Sequence, residues 1–120
     1  MSHNERINYV ELPARDPQAA QAFYGDVFGW TFESYGPDYL AFNDGAMNGG
    51  FYRADLSSDS TRGGALIVLF SDDLEATQAR VEQHGGSIVK PIFTFPGGRR
   101  FHFTDPNGNE LAVWGNLPKD

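Results

Sequence analysis

The sequence predicts an α+β fold in which two βαβββ modules form a curved, cup-like mixed sheet with helices on its outer face. Three observations predict it. An alternating strand pattern at residues 7–14 is followed by a capped helix that ends at Gly29. The same order returns in the second half, where Asp16 and Gly29 fall on Asp72 and Gly85 with one offset of 56 residues. Three short strand patterns follow each helix.

The first module begins with INYVELPA, in which Val10 and Leu12 take one face and Tyr9 and Glu11 take the other. Such alternation is typical of a strand with two different sides. Asp16 followed by proline predicts a helix N-cap and first turn. An apolar stripe at helical spacing continues to Gly29. The segments WTFESY, YLAFN and GGFYR then predict three strands separated by turn residues.

The second module begins with ALIVLF, residues 65–70, which predicts a buried strand. Asp72 is predicted to cap the next helix, with Glu75 completing a capping box and Gly85 ending the helix. The segments SIVKPI, RRFHFT and ELAVW predict the last three strands. The turn Asp-Pro-Asn-Gly-Asn, residues 105–109, precedes the final strand and is interpreted as structural.

We therefore predict one domain over residues 1–120. Module one covers about residues 6–54, a linker rich in Ser, Asp and Gly covers about 55–63, and module two covers about 64–115.

Composition limits the classes of function. The chain has 120 residues, of which 40% are apolar and 14% aromatic, so it can bury a core. It has no cysteine, and its net charge of −7 disfavours a nucleic-acid partner. No apolar stretch is long enough for a membrane helix, and residues 1–6 lack the apolar segment of a signal peptide. We expect a cytoplasmic protein without membrane partners.

Two long segments carry a family resemblance. YVELPARD…AFYGDVFGW and FTDPNGNELAVW, together with the repeated βαβββ order, resemble the vicinal oxygen chelate (VOC) superfamily. Its members include glyoxalase I, extradiol dioxygenases, fosfomycin resistance enzymes and bleomycin-binding proteins. The resemblance implies the cup-shaped fold; because its members differ in chemistry, it does not imply one activity.

Metalloenzymes of the resembled family typically hold a metal through His and Glu side chains on the concave face. At the corresponding positions this chain has Tyr9, Gly49, Leu66 and Ala112. These residues cannot provide the imidazole and carboxylate ligands that Zn, Ni or Fe require. The resemblance therefore implies a member without a bound metal, and we expect no cofactor.

Strand alternation, oriented by the resemblance, selects the residues of the concave face. Tyr9 and Glu11 are predicted to lie there on the first strand, Phe51 and Arg53 on the fourth, and Trp114 on the last. Glu11 is a candidate general base if it is desolvated. It can equally be a structural partner of an arginine such as Arg53, and the sequence leaves both roles open.

His102 is the only histidine on a predicted strand, and alternation turns it away from the core together with Arg100. It is a second catalytic candidate, although a lone strand histidine is more often an ordinary lining residue. Aromatic side chains, Phe51, Phe70 and Trp114, are predicted either to stack on a flat ligand or to pack in a dimer.

The sequence best fits a metal-independent, small-molecule-binding protein, with Tyr9, Phe51, Arg53 and Trp114 as ligand-binding residues and a cationic or aromatic ligand. A lyase or isomerase that uses Glu11 or His102 is the alternative, and a metal-dependent glyoxalase or dioxygenase is the third. We expect a homodimer, because the aromatic content of so small a chain leaves apolar surface to cover.

Overall fold

A computed structural model describes residues 4–118 and contains the predicted order of elements, βαβββ twice. Neither helix in this part of the chain is long and apolar enough to cross a membrane. The elements are β1 (Tyr9–Ala14), α1 (Pro17–Phe28), β2 (Thr31–Ser34), β3 (Tyr39–Asn43), β4 (Asn48–Arg53), a short 3-10 helix (Ser60–Arg62), β5 (Ile67–Phe70), α2 (Leu74–Gln83), β6 (Ser87–Phe95), β7 (Gly98–Thr104) and β8 (Glu110–Gly115).

The strands form two mixed sheets of four, in the orders β1-β4-β3-β2 and β5-β8-β7-β6. In each sheet the first strand pairs parallel with the last, and the other pairs are antiparallel. The helix between the first and second strands of each module provides the crossover that a parallel pair requires. The α+β class and the paired-module architecture are therefore confirmed.

The predicted cap of α1 is confirmed. Asp16 Oδ1 accepts hydrogen bonds from the backbone N–H groups of Gln18 and Ala19 at 3.1 and 3.3 Å. Gly29 ends the helix with φ of 73°, a left-handed conformation that a residue with a side chain adopts only at a cost.

The predicted cap of α2 is wrong by one residue. Asp73, not Asp72, is the N-cap, and its Oδ1 accepts a hydrogen bond from the Ala76 N–H at 3.2 Å. Glu75 is then the second helical residue, too early for a capping box, and its carboxylate binds Arg99 instead. Two adjacent aspartates offer the same capping chemistry, so only the backbone path distinguishes them.

Asp73→Ala is therefore expected to lower the free energy of unfolding by about 1 kcal/mol, since the helix loses a side-chain acceptor at its first turn. Asp72→Ala, the matched control, removes an equal charge without removing the cap and should change stability by less than about 0.5 kcal/mol. Chemical denaturation of both variants measures the difference. Equal effects of the two substitutions would contradict the assignment.

Both modules contribute to one core on the helix side of the sheets. Leu12, Phe42 and Phe51 of the first sheet belong to the same buried cluster as Phe103 and Leu111 of the second. Helix α1 touches both sheets. The Tyr24 and Phe51 ring centroids lie 5.3 Å apart, and those of Phe23 and Phe103 lie 5.9 Å apart. The faces opposite the helices, here called the helix-free faces, are the ones that remain for ligands.

The Asp-Pro-Asn-Gly-Asn turn joins the modules. Asn109, fully buried, donates from Nδ2 to the Pro13 carbonyl at 2.7 Å and accepts from the Ser58 N–H at 2.8 Å. Asn107 exchanges hydrogen bonds with the Asp16 backbone at 2.8 and 3.0 Å. Side chains of this turn thus provide hydrogen-bond partners for backbone groups at the end of β1 and in the linker. This role explains why a long polar turn is buried.

Asp105 organises the inside of the same turn. Its carboxylate accepts from the N–H groups of Asn107 and Asn109 at 2.8 and 3.0 Å and from the Tyr24 hydroxyl at 2.8 Å. Burial raises the pKa of the Asp105 carboxyl, and these hydrogen bonds act in the opposite direction. The interpretation of the turn as structural agrees with these contacts.

Candidate functional site

A buried, hydrogen-bonded pair of side chains, Glu110 and His102, lies on the helix-free face of the second sheet. Glu110 Oε2 lies 2.9 Å from His102 Nδ1, and both residues are almost inaccessible to solvent, at 6% and 2% exposure. His102 is the cross-strand partner of Ala112, two residues from Glu110 on β8. Long side chains can meet across such a diagonal. Glu110 reaches this position because β8 begins directly after the turn.

The linker covers the other side of the carboxylate. The Ser60 N–H and hydroxyl donate to Glu110 Oε1 at 2.9 and 2.7 Å, and the Glu110 N–H donates to the Ser58 carbonyl at 2.8 Å. Burial acts to raise the pKa of the Glu110 carboxyl, but the hydrogen bonds from Ser60 and His102 outweigh it and lower the pKa to about 2. Glu110 is therefore ionised at neutral pH and can only accept hydrogen bonds.

This carboxylate determines the state of the histidine ring. An ionised carboxylate requires a donor at 2.9 Å, so the proton of neutral His102 is assigned to Nδ1 and the lone pair to Nε2. His102 Nε2 is buried and has no hydrogen-bond partner among residues 4–118. A buried acceptor without a partner costs free energy, and a bound molecule can provide the missing donor.

One aromatic ring, that of Phe93, packs against the His102 imidazole. The Phe93 ring stacks on the imidazole, with centroids 5.9 Å apart and planes at 28°. The Arg100 guanidinium lies over Phe93 and Phe95, at 5.6 and 5.7 Å from the ring centroids. Trp114 is the cross-strand partner of Arg100. The face therefore presents a base, a cation and flat apolar surfaces side by side.

A second polar cluster lies on the helix-free face of the first sheet. The Tyr39 hydroxyl donates to Glu11 Oε2 at 2.8 Å and lies 2.6 Å from the Tyr9 hydroxyl, which must then donate to Tyr39. Burial, reinforced by hydrogen bonds with Tyr9 and Glu11, raises the pKa of Tyr39 well above its ordinary value. Tyr39 thus stays neutral and holds Glu11, which remains exposed to solvent.

Two of the predicted ligand-binding residues, Phe51 and Arg53, lie on the helix side of the first sheet and not on the predicted concave face. Phe51 is fully buried in the core, because its cross-strand partners Leu12 and Leu40 face the helices. Arg53 shares that face and lines a groove of about 630 Å³ beside the start of α1, together with Arg15. The placement of β4 was one residue out of register, and such a slip exchanges the two faces of a strand.

The predicted cavity of Tyr9, Glu11, Phe51, Arg53 and Trp114 therefore does not exist as one surface. Glu11 pairs with Tyr39 and not with Arg53. Trp114 lies on the helix-free face of the second sheet, where its ring meets Phe70 edge-on at a centroid distance of 5.0 Å. Two polar clusters are thus present: the Glu11 cluster contains Tyr9, Glu11 and Tyr39, and the His102 cluster contains Ser60, His102 and Glu110. No hydrogen bond, ion pair or ring contact among residues 4–118 joins the two clusters.

Three residues gain importance from the structure. Arg100 was placed away from the core by alternation but was given no role, Glu110 was assigned only to the last strand, and Ser60 was assigned to the linker alone. Alternation did place Arg100 on the same side of the strand as His102, but it gave no indication of a role for Arg100. The contact of Ser60 with Glu110 spans 50 positions, and no local pattern indicates it.

The residues do not fit a transition metal. Within residues 4–118 no group of three His, Cys, Asp or Glu side chains is close enough to hold a metal ion. The residue of β4 on the helix-free face is Gly50, and the Tyr39 ring occupies the space that a side chain there would need. The donors at the family's metal positions are thus one phenol and no carboxylate or imidazole.

Two mixed sheets built from repeated βαβββ modules, with polar groups on their helix-free faces, define a paired-module α+β protein of the glyoxalase type. Residues 6–113 match the model of the Glyoxalase/Bleomycin resistance protein/Dioxygenase superfamily, and the chain belongs to that family. Proteins of this family bind small molecules and often form dimers.

Individual proteins agree with this assignment. A glyoxylase-like domain-containing protein of Didymella fabae is 28% identical over 121 residues, with 90% of this chain and 93% of the relative covered. A Mycobacterium bovis protein provisionally named glyoxylase CFP32 is 27% identical over 89% of this chain, which spans only 44% of that relative's length. The crystal structure of a glyoxalase-related enzyme from Fulvimarina pelagi, 18% identical, superimposes with a TM-score of 0.77 over 93% of this chain and 88% of its own, and shows the same fold.

Proposed function

We propose that the protein binds a small, flat organic molecule on the helix-free face of the second sheet, without a metal ion. The observation that carries the proposal is the unpartnered, buried Nε2 of His102 on an imidazole that stacks with Phe93, with Trp114 on the same face of the sheet. A ligand that donates a hydrogen bond to this nitrogen and stacks on the rings satisfies both features. The donor set at the family's metal positions supports binding without a metal.

The proposal predicts that aromatic small molecules raise the melting temperature and change the fluorescence of Trp114, because a ligand that binds only the native state stabilises it. Trp114→Ala should weaken binding about tenfold or more by removing the stacking surface. Tyr35→Ala removes an exposed ring at the end of β2 and should leave affinity unchanged. Binding that is equally strong in both variants would contradict the proposed location.

A second candidate function is that of an isomerase or lyase in which His102 acts as a general base. The Glu110–His102 pair favours it, since a carboxylate that fixes the imidazole tautomer leaves Nε2 ready to take a proton from a bound substrate. An isomerase would return that proton to a neighbouring atom of the substrate. Turnover of an aromatic molecule that raises the melting temperature would favour this candidate, and binding without turnover would favour the first.

We also propose that two copies pair so that the cup closes across the dimer. Within one chain the Glu11 and His102 clusters do not touch, so one chain does not assemble both into a cup. The edge strands β1 and β5 border an apolar groove of about 550 Å³. Val68 and Phe70 on β5 expose 42% and 49% of their surface, an unusual property for apolar residues of a strand.

Light scattering at micromolar concentration is expected to give the mass of a dimer. Phe70→Asp should shift the protein toward the monomer, because a carboxylate replaces an apolar ring at the proposed interface. Leu117→Asp, which changes an equally exposed residue beyond β8, is the matched control. A monomeric mass for the unmodified protein would contradict the proposal.

A further inference from the structure

We infer that the molecule bound on the helix-free face of the second sheet is a planar organic anion that also carries a hydrogen-bond donor, of the class of hydroxylated aromatic carboxylates. The inference rests on the proposed function, because it specifies the chemistry of the ligand at that same face. It replaces, for this face, the expectation of a cationic ligand.

Two nitrogen atoms of side chains on the same face of β7 lack partners within residues 4–118. His102 Nε2 and Arg100 Nε are both buried and make no hydrogen bond within residues 4–118. They belong to residues two apart on β7, which point to one side of the sheet and whose Cα atoms lie roughly 6–7 Å apart along a strand. Nε2 accepts a hydrogen bond in the neutral ring and the guanidinium donates, so the two require opposite groups on one ligand.

The charges on this face favour an anion. Arg100 has no ion pair with any described residue, whereas its neighbour Arg99 is neutralised by Glu75. Lys90, the cross-strand partner of His102, likewise has no ion pair among residues 4–118. The carboxylate of Glu110 is already engaged by His102 and Ser60. In a chain of net charge −7, the uncompensated charge at this place is therefore positive.

The rings favour a flat molecule. The Arg100 guanidinium lies over the rings of Phe93 and Phe95, and the Phe93 ring also stacks on the His102 imidazole. The rings hold both polar groups against one apolar surface, which lowers the local dielectric and strengthens a hydrogen bond to an ionised group. Trp114, opposite Arg100 in the β7–β8 register, adds a further stacking surface.

The ligand class follows from these three features. A carboxylate pairs with Arg100 through charge-assisted hydrogen bonds, a hydroxyl donates to His102 Nε2, and an aromatic ring between them contacts the side chains around them. Monohydroxybenzoates are the simplest molecules that combine all three groups, and their positional isomers sample different distances between the charge and the hydroxyl.

The test measures the affinity of four classes of matched aromatic probes by titration of tryptophan fluorescence, to which Trp30 and Trp114 contribute, and by calorimetry. They are 2-, 3- or 4-hydroxybenzoate, benzoate without the hydroxyl, the neutral hydroxybenzamide and the cationic hydroxybenzylamine. We expect the best hydroxybenzoate to bind at least about tenfold more tightly than the neutral and cationic probes. Arg100→Gln should abolish this advantage of the anion. Arg53→Gln, which removes an arginine from the other side of the protein, should preserve it.

Nitrogen-15 NMR tests the role of His102 directly, because the Nε2 resonance of a histidine with only a structural role would not shift when a ligand binds. The free protein should show His102 Nε2 as the unprotonated nitrogen, and its resonance should shift when a hydroxybenzoate binds but much less with benzoate. His84→Gln identifies one of the other two histidine signals, and the chain contains three histidines. A protonated Nε2 with a bare Nδ1, or an Nε2 resonance that no probe moves, would overturn the inference.

The outcomes separate the two proposals. If neutral or cationic probes bind more tightly than the hydroxybenzoates, or if Arg100→Gln leaves the preference for the anion intact, the inference fails and binding on this face stands. If no aromatic probe of any charge binds, the proposed function fails together with the inference.

Discussion

Replacing Asn109 by alanine is expected to lower the free energy of unfolding by about 3–5 kcal/mol. The side chain is fully buried and donates to the Pro13 carbonyl while it accepts from the Ser58 N–H. Its removal leaves these two groups without partners in a place that water does not reach, and each such group costs ~1–3 kcal/mol. The lost packing of the side chain adds to this cost.

Equilibrium denaturation of Asn109→Ala measures the effect, with Asn8→Ala as the control because Asn8 is exposed and precedes β1. The control should stay within about 0.5 kcal/mol of the unmodified protein. A similarly small change for Asn109→Ala would show that the turn does not hold the two modules together.

Glu110→Gln is expected to remove a contribution to the free energy of unfolding that depends on pH. The pKa of Glu110 in the folded protein is about 2, below its ordinary value of 4.5. A group whose pKa is lowered by folding stabilises the protein above its unfolded pKa and loses this contribution as pH falls toward the folded value. The contribution of Glu110 should therefore be complete above about pH 5 and vanish toward pH 2.

Denaturation of both proteins between pH 7 and pH 2 measures the difference in their unfolding free energies. We expect this difference to be on the order of 2 kcal/mol at neutral pH and to shrink as the pH falls. The raised pKa of Asp105 acts in the opposite sense but is present in both proteins, so it cancels. A difference that does not vary with pH would contradict the role of Glu110 as an ionised partner.

The two modules and their elements could be predicted from the sequence because their causes are local. Alternation along β1, the aspartate and proline at the start of α1, and the glycine at its end each act within a few residues. The same pattern recurs in the second half and predicts the same order of elements there. Asp72 and Asp73 both fit the N-cap of α2, and the backbone path decides between them. The sequence therefore predicted the wrong aspartate.

The face of the sheet on which a residue lies was predicted correctly only for strands in which core-facing apolar residues alternate with residues of the other face. His102 and Trp114 lie on the predicted face, because β7 and β8 place Phe101, Phe103, Leu111 and Val113 on the core side. Strand β4 contains two glycines, Gly49 and Gly50, which show no preference for either face. Its orientation was therefore taken from the family resemblance, which placed Gly49 on the concave face, and Phe51 and Arg53 were assigned to the wrong side.

The sequence by itself thus determined the order of elements, the likeness to a family and the absence of that family's usual metal ligands. Only the tertiary structure decided that Glu110 and Ser60 fix the ring of His102 and that Tyr39 holds Glu11. These contacts join positions 8, 50 and 28 residues apart. The physical reason is that a hydrogen bond needs an approach of about 3 Å, and such an approach follows from sheet register and linker path, which no short stretch of sequence encodes.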